Sequence, residues 1–234
     1  MTDESIIKEK ADAYARANKK AIAKQRTSLD EFPQDQFPVS VFMAGSPGAG
    51  KTESSRNLIE QLTNSRCVLR IDPDELRIVF EDYSGKNSYL FIGATSIIAD
   101  KIHDNALDNG QSFVFDGTLS NLNRARENIQ RSLDKKRLVQ IVYVYQDPKQ
   151  AWEFVKAREI KEGRKIPRDA FITQYFVARE NVNTLKREFG SLLKVDLIVK
   201  NIDGTDFSNY QNIDAIDKHI LEKYTKGDLE RLIV

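Results

Sequence analysis

The feature that most constrains this chain is a glycine-rich loop at residues 45–52. It follows a strand-like apolar run, Val39 to Ala44, and precedes a helix-like run, Thr52 to Leu62. In the pattern G-x-x-x-x-G-K-[ST], glycines let successive backbone N–H groups point into one concavity at a helix N-terminus, which favours an anion. The loop predicts a site for nucleotide phosphates that comprises Gly45, Ser46, Pro47, Gly48, Ala49, Gly50, Lys51 and Thr52, with Glu53 directly after it.

Two residues of this loop have expected chemical roles. Lys51 should bridge the β- and γ-phosphates of ATP, and Thr52 should offer its hydroxyl to Mg²⁺. Switch GTPases, ATP-driven motors and small-molecule kinases all carry such a loop, so the reaction depends on residues elsewhere in the chain. A kinase requires an acceptor site with a base, and a mobile cationic lid.

The rest of the chain alternates between strand and helix patterns. Four further apolar runs predict strands, and because each run is continuous, both faces of these strands should be covered. The predicted fold class is α/β, a doubly wound, mainly parallel sheet of about five strands with helices on both faces. The four runs span 67–71, 112–115, 138–145 and 195–200, and the helical patterns span 75–81, 88–109, 121–134, 148–161, 169–188 and 212–224.

The N-terminal segment has a helical pattern of its own. Residues 2–27 contain neither Gly nor Pro, and two prolines, Pro33 and Pro38, follow. We therefore expect an N-terminal helical arm at 1–37 and a P-loop domain at 38–234. The arm could inhibit the ATP site in cis, or it could pack its thin apolar face on the domain or on a partner.

The amino-acid composition limits the possible binding partners and the cellular location. The 36 Lys and Arg residues nearly balance the 35 Asp and Glu residues, which makes nucleic acid an unlikely partner. Cys67 is the only cysteine, so no intramolecular disulfide can form, and its apolar context predicts a buried thiol. No apolar run reaches the roughly 20 residues of a membrane-spanning helix, and we expect a cytoplasmic protein. His103 and His219 lack metal-ligand spacing.

Carboxylates follow two predicted strands. Asp72 and Asp74 come after the run that ends at Ile71, and Asp116 follows Phe115. Because the carboxyl ends of parallel strands form the ligand crevice, these side chains should converge near the phosphate loop. One could orient Mg²⁺ and another could accept a proton. We predict Asp72 as the base and Asp74 as the N-cap of the helix that begins at Glu75.

A run of cations follows the fourth strand and its helix. It extends from Lys156 to Arg168, includes Arg158 and Arg164, and is interrupted by Gly163. Arginine stays charged and grips phosphate oxygens at two points, which suits a lid that stabilises a transferring phosphoryl group. The alternative is a solvated, charged helix surface.

These motifs together resemble the zeta-toxin family of UDP-N-acetylglucosamine kinases. The resemblance covers roughly residues 38–200 and rests on the phosphate loop, Ile71-Asp72-Pro73-Asp74 with Arg77, Asp116-Gly117-Thr118, and Arg158 with Arg164. It implies ATP-dependent phosphorylation of the sugar 3′-hydroxyl, Asp72 as the base, and stabilisation of the γ-phosphoryl group by Lys51, Arg158 and Arg164. It also implies that Thr118 contacts a sugar nucleotide and that an antitoxin protein is a possible partner.

Two positions depart from the family pattern. Asp116 stands where the family usually has a glutamate, and Asp100 matches a second, helical glutamate. Each change shortens the side chain by one carbon, or about 1.5 Å, which is enough to break a direct hydrogen bond. Asp100 could instead be a surface residue beside Ile98 and Ile102. The segment from Tyr83 to Tyr89 could lie near the acceptor, although it also reads as an ordinary turn.

Two alternatives to a sugar-nucleotide kinase stay open. A kinase of the same fold could phosphorylate NAD, a nucleoside or a polynucleotide end. The chain could also be an ATP-gated switch or binding module that acts through its N-terminal helix.

Overall fold

The computed structural model describes residues 3–63, 67–201, 203, 205–220 and 222–233. The predicted alternation of strands and helices is present. The strands are β1 (Val39–Ala44), β2 (Leu69–Ile71), β3 (Phe113–Phe115), β4 (Leu138–Tyr145), β5 (Leu193–Lys200) and β6 (Asp206–Tyr210). The α-helices are α1 (Asp3–Arg26), α2 (Lys51–Thr63), α3 (Ile92–Asp108), α4 (Leu122–Asp134), α5 (Pro148–Glu162), α6 (Arg168–Phe189) and α7 (Lys226–Leu232).

The strands form one six-stranded sheet in the order β2-β3-β1-β4-β5-β6, and β6 is the antiparallel member. This confirms the doubly wound, mainly parallel sheet. β1, which delivers the chain into the phosphate loop, lies between β3 and β4. The carboxyl ends of β2 and β3 therefore lie on one side of the loop and that of β4 on the other.

Both faces of the sheet are covered, as the continuous apolar runs of its strands require. In β1, Phe42 and Ala44 belong to the larger core, which includes buried residues of α1, α3 and α6. Val41 and Met43 point the other way, into a smaller cluster with partly buried Leu58 of α2. This alternation fixes α2, and with it the phosphate loop, against one face of the sheet.

Several predicted boundaries need correction. Cys67 precedes β2 and is exposed, so the expectation of a buried strand thiol is wrong. The helix predicted at 75–81 is a 3-10 helix, Glu75–Val79, and the one predicted at 88–109 begins with a 3-10 turn, Ser88–Phe91. A sixth strand, β6, was not predicted because its five residues, with Ser208 and Asn209 at their centre, lack a continuous apolar run.

The predicted helix at 212–224 is also wrong. Its apolar residues Ile213, Ile216 and Ile220 are buried at helical spacing, but only Ile216–Lys218 forms a 3-10 turn. The backbone finds partners elsewhere: Ile213 N–H donates to Val195 O at 2.8 Å, and Ile216 N–H donates to Asn183 Oδ1 at 2.8 Å. These long-range bonds replace the intrahelical ones. Leu221 of this segment lies outside the described residues.

The N-terminal helix packs into the domain. Ala15 and Ala23 of α1 are fully buried, and α1 contacts α3 and the 3-10 turn at 88–91. Tyr14 stacks edge-on against Phe80 with ring centroids 5.6 Å apart, and Lys10 pairs with Asp82 at 2.9 Å. This agrees with the packing alternative for the arm, while the division at residue 37 stays a prediction. Among the described residues, no helix combines the length and apolarity needed to cross a bilayer.

Candidate active site

The phosphate loop has a backbone that only glycine can adopt at two of its positions. Gly45 has φ +138°, and a Cβ there would lie 2.3 Å from Val144 O of β4. Gly48 has φ +73°, and a Cβ there would lie 2.1 Å from Ala151 O in the first turn of α5. The loop is therefore held tightly between β4, α5 and the N-terminus of α2, with its curvature set by these glycines.

Lys51 lies at the start of α2 and folds over the loop. Its Nζ donates to Gly45 O at 3.0 Å and to Ser46 O at 2.7 Å. Burial lowers its pKa to about 8; Asp116 and Asp74 act in the opposite direction, and Arg164 and Arg158 add to the lowering. Lys51 is therefore within electrostatic range of all four charged residues.

Asp72 and Asp116 converge at the ends of β2 and β3, as predicted. Both are nearly buried, and each accepts a hydrogen bond from the same atom, Arg70 Nη2, at 2.6 and 2.5 Å respectively. Ser55 of α2 adds a contact at 3.1 Å to Asp116 Oδ2. Burial and the carboxylates of Asp116 and Asp74 raise the pKa of Asp72 to about 6, against the opposing effect of Arg70.

Asp74 faces the cationic side of the site. Its carboxylate pairs with Arg77 Nη1 at 2.6 Å and with Arg164 Nη1. Burial disfavours its charged form, but Arg164 and Arg77 outweigh burial and hold the pKa of Asp74 below its ordinary value. The predicted cap is absent: Asp74 makes no side-chain cap hydrogen bond to the 3-10 helix, and Asp72 Oδ1 instead accepts the Asp74 N–H at 2.8 Å. The Asp74 carboxylate does not cap the 3-10 helix because it pairs with these two arginines instead.

The cationic run forms the connection between α5 and α6. α5 ends at Gly163 in the left-handed conformation, and Arg164 then reaches Asp74. Arg158 pairs with Glu162 at 2.8 Å and is close enough to affect the pKa of Lys51. Arg168 instead binds backbone carbonyls of α7. The structure thus brings Arg164 and Arg158 to the site, and it places Arg168 at the C-terminal helix.

Asp100 and Thr118 are not held with the other predicted acceptor residues. The side chain of Asp100 is 45% exposed on α3 and pairs with Arg124. Thr118 lies just after β3, where its hydroxyl donates to Ser120 Oγ at 2.9 Å. Neither contact reaches Asp72, Asp74 or Asp116. Both residues therefore stay predictions as substrate contacts.

The predicted acceptor segment, Tyr83 to Tyr89, lies against the end of α5, where the cationic run begins its connection to α6. A Cβ at Gly85, whose φ is +81°, would lie 2.5 Å from Glu162 O at the end of α5. On its other side the segment meets the N-terminal helix, where Tyr89 OH donates to Glu4. α1 thus packs beside the segment that was predicted to lie near the acceptor.

Arg70 is the part of the site that the sequence motifs did not identify. Besides its two aspartates, it donates from Nε to Ser55 Oγ at 3.1 Å and from Nη1 to Glu75. The available signal was a charged residue at the centre of a short, otherwise apolar strand, Leu69–Ile71. A buried guanidinium needs carboxylate partners, and two were nearby in the fold.

The sequence profile of the zeta-toxin family, described as "Zeta toxin", matches residues 22–212. The chain belongs to the zeta-toxin family. The predicted resemblance is thereby confirmed, over a range that extends into the last turns of α1. No protein of curated function matches the sequence.

Two solved structures share the fold at low sequence identity. One comes from the PezAT chromosomal toxin–antitoxin system of Streptococcus pneumoniae, with 14% identity, a TM-score of 0.67, and coverage of 94% of this chain and 93% of that chain. The other is the AvrRxo1-ORF1:-ORF2 complex with ATP, with 18% identity, a TM-score of 0.57, and coverage of 90% of this chain and 67% of that chain. Family membership together with a complete phosphate loop makes this protein a P-loop phosphotransferase.

Proposed function

We propose that this zeta toxin transfers the γ-phosphoryl group of ATP to a hydroxyl of a sugar nucleotide, most specifically the 3′-hydroxyl of UDP-N-acetylglucosamine. The observation that carries the proposal is the convergence of Lys51, Arg164 and Arg158 with two carboxylates at one end of the sheet. A switch or motor has no need of a carboxylate held against a lid arginine, whereas a kinase requires a base beside its phosphate-binding cations.

The ATP half of the reaction uses the phosphate loop. Lys51 exchanges its bonds to Gly45 O and Ser46 O for phosphate oxygens, and Arg164 and Arg158 stabilise charge on the transferring group. Thr52, in the first turn of α2, and Asp116 offer the oxygen ligands that Mg²⁺ prefers. Arg70 and Ser55 both bind Asp116 Oδ2. When bound, Mg²⁺ neutralises charge on the phosphates.

The acceptor half requires a base. The acceptor oxygen forms a bond to the γ-phosphorus as the bond to the bridging β,γ-oxygen breaks, ADP leaves, and the hydroxyl proton passes to a carboxylate. Asp72 is the base predicted from the sequence, and its pKa of about 6 suits proton transfer near neutral pH. Asp74 is the second candidate, favoured by its direct pairing with the lid residue Arg164.

The pH dependence of kcat/KM distinguishes these bases, because kcat/KM reports the pKa values of the free enzyme. If Asp72 accepts the proton, kcat/KM should fall about tenfold per pH unit below pH 6, because Asp72 is then protonated. If Asp74 is the base, kcat/KM should stay level through pH 6, because its pKa in the free enzyme lies below the ordinary value. Asp72→Asn and Asp74→Asn should each bind ATP, and the variant of the base should lose transfer. Full activity of both variants would refute a carboxylate base at this position.

The acceptor is identified by product analysis. The protein is incubated with ATP, Mg²⁺ and UDP-sugars, nucleosides, NAD and a 5′-hydroxyl oligonucleotide, and each product is analysed by mass spectrometry. A gain of one phosphate on UDP-N-acetylglucosamine supports the proposal, and Thr118→Val should then raise KM for that substrate. A phosphate on another acceptor would replace the proposed substrate, and tight ATP binding without any product would favour a switch.

We further propose an antitoxin partner. The PezAT structure comes from a toxin–antitoxin system, and AvrRxo1-ORF1:-ORF2 is a two-protein complex. Cis-inhibition by the N-terminal helix has less support, because α1 contacts α3 and the turn at 88–91. Co-expression with the product of a neighbouring gene, followed by copurification and an activity assay, tests the partner.

A further inference from the structure

Arg70 contacts four different parts of the site. It extends from the centre of β2 and binds Asp72 at the end of its own strand, Asp116 at the end of β3, Ser55 of α2, and Glu75 of the following 3-10 helix. Only 12% of its side chain is exposed. The Ser55 hydroxyl is itself within 2.9 Å of Thr52 O in the first turn of α2. One guanidinium therefore connects the phosphate-loop helix with both carboxylate-bearing strand ends.

The two aspartates require such a cation. Asp72 Oδ2 and Asp116 Oδ2 both lie within hydrogen-bond distance of Arg70 Nη2, so they are at most about 5 Å apart. Their side chains are only 8% and 6% exposed, so water screens their repulsion poorly. Without a cation between them, two ionised carboxylates would repel each other, and one would turn away or take up a proton.

We propose that Arg70 is a positioning residue that holds Asp72 and Asp116 in register with the phosphate loop. It does not touch the reacting atoms itself. Its planar fork supplies several donors in a fixed geometry, which allows it to bind two carboxylates and a hydroxyl at once. The inference deepens the proposed function, because the site that it orders is the proposed phosphotransfer site.

A matched control is available on α2. Arg56 of this helix also approaches Glu75, at 3.4 Å, but its side chain is 62% exposed. Arg56→Met thus removes an arginine from the same neighbourhood and leaves the aspartate pair bridged. It should leave activity and melting temperature nearly unchanged.

The contact itself is tested without any activity assay. Melting temperatures are measured for Arg70→Met, Asp116→Asn and the double variant. Arg70→Met should lower the melting temperature by at least about 4 °C, because it leaves two buried carboxylates together. The double variant should melt above Arg70→Met, since one of the repelling charges is gone. Additive losses would overturn the bridge. If Arg70→Met does not fold, Arg70→Lys replaces it in the same cycle.

The positioning role is tested by kinetics. Arg70→Met should lower kcat by about 100-fold while KM for ATP stays within threefold, since a small misplacement of reacting groups can have an effect of that size. Arg70→Lys should recover little, because an ammonium cannot bind both carboxylates and Ser55 together. Added guanidinium should raise kcat of Arg70→Ala at least tenfold and leave Arg56→Met unaffected, a rescue that a purely structural defect would not show.

The two sets of measurements separate the failure of this inference from that of the proposed function. If the wild-type protein phosphorylates no acceptor but the melting cycle shows coupling, the kinase proposal fails and the bridge stands. If the wild type is active and Arg70→Met retains more than a third of its kcat, the positioning role is overturned.

Discussion

Replacing Asp72 with asparagine should make the protein more stable at neutral pH. Burial and neighbouring carboxylates raise the pKa of Asp72 from 3.8 to about 6, even with Arg70 beside it. Because the folded-state pKa lies above the unfolded-state value, the folded state binds the proton more tightly. The contribution of Asp72 to the stability of the fold is therefore fully present below about pH 4. It is lost as the pH rises to about 6, and above that pH the loss is constant.

The expected gain in stability follows from the difference between the folded and unfolded pKa values of Asp72. A pKa difference of this size corresponds to about 3 kcal/mol of unfolding free energy lost at neutral pH. Asparagine is uncharged and keeps an oxygen that can accept the Asp74 N–H, as Asp72 Oδ1 does. Asp72→Asn should therefore recover up to about 3 kcal/mol, or roughly 6–12 °C in melting temperature for a chain of this size.

The assay is thermal unfolding of the wild type and Asp72→Asn at pH 7.5 and pH 4.0. The gain should be large at pH 7.5 and nearly absent at pH 4.0, where wild-type Asp72 is already protonated. Asp214→Asn is the control, since Asp214 has a 79% exposed side chain and a distant partner, Lys218, at 3.7 Å. If Asp72→Asn melts at or below the wild-type temperature at pH 7.5, or gains equally at both pH values, the reasoning is refuted.

Three further predictions use other residues. Lys51→Met should abolish transfer yet raise stability at pH 7 by up to about 3 kcal/mol, because the lowered pKa of Lys51 reflects costly burial of its charge; a lower melting temperature would contradict this. Cys67 is exposed, so its rate of reaction with a thiol reagent in the native protein should be within about tenfold of its rate in the denatured protein. Full protection in the native protein would mean that the thiol is buried. Deletion of residues 1–26 should lower the melting temperature rather than raise ATP turnover, because Ala15 and Ala23 are fully buried; a stable, more active truncation would support cis-inhibition.

The elements that the sequence predicted well are those determined by local pattern. The phosphate loop, β1 and β4 have continuous apolar runs or a fixed motif, and their predicted bounds match the structure closely. The end of α5 is also determined locally, because Gly163 adopts the left-handed conformation that terminates a helix. The segment at 212–224 had an equally good helical spacing, but its backbone bonds to β5 and α6 prevailed. Local spacing shows that residues are buried and leaves open which partner buries them.

The same distinction explains the candidate site. The motifs placed Asp72, Asp74 and Arg164 in one crevice, because the carboxyl ends of parallel strands share an edge. They could not assign partners within it, since Arg164 and Asp74 are 90 positions apart in the chain and either aspartate satisfied the pattern. In the structure the pairs are set by charge: Arg164 forms an ion pair with Asp74, and Arg70 binds both Asp72 and Asp116.

This pairing has a consequence for how the two aspartates can act. Asp74 is already neutralised by the lid, so movement of Arg164 towards a phosphoryl group would remove its partner and raise its affinity for a proton at that moment. Asp72 is bound by Arg70 of its own strand and interacts with the lid only at longer range, through the charge of Arg158, so its proton affinity should change less with the lid than that of Asp74. A base whose proton affinity rises as the lid closes on the phosphate would act only with both substrates present. A kcat/KM profile that stays level through pH 6, as expected for Asp74 in the free enzyme, separates this coupled arrangement from an independent base at Asp72.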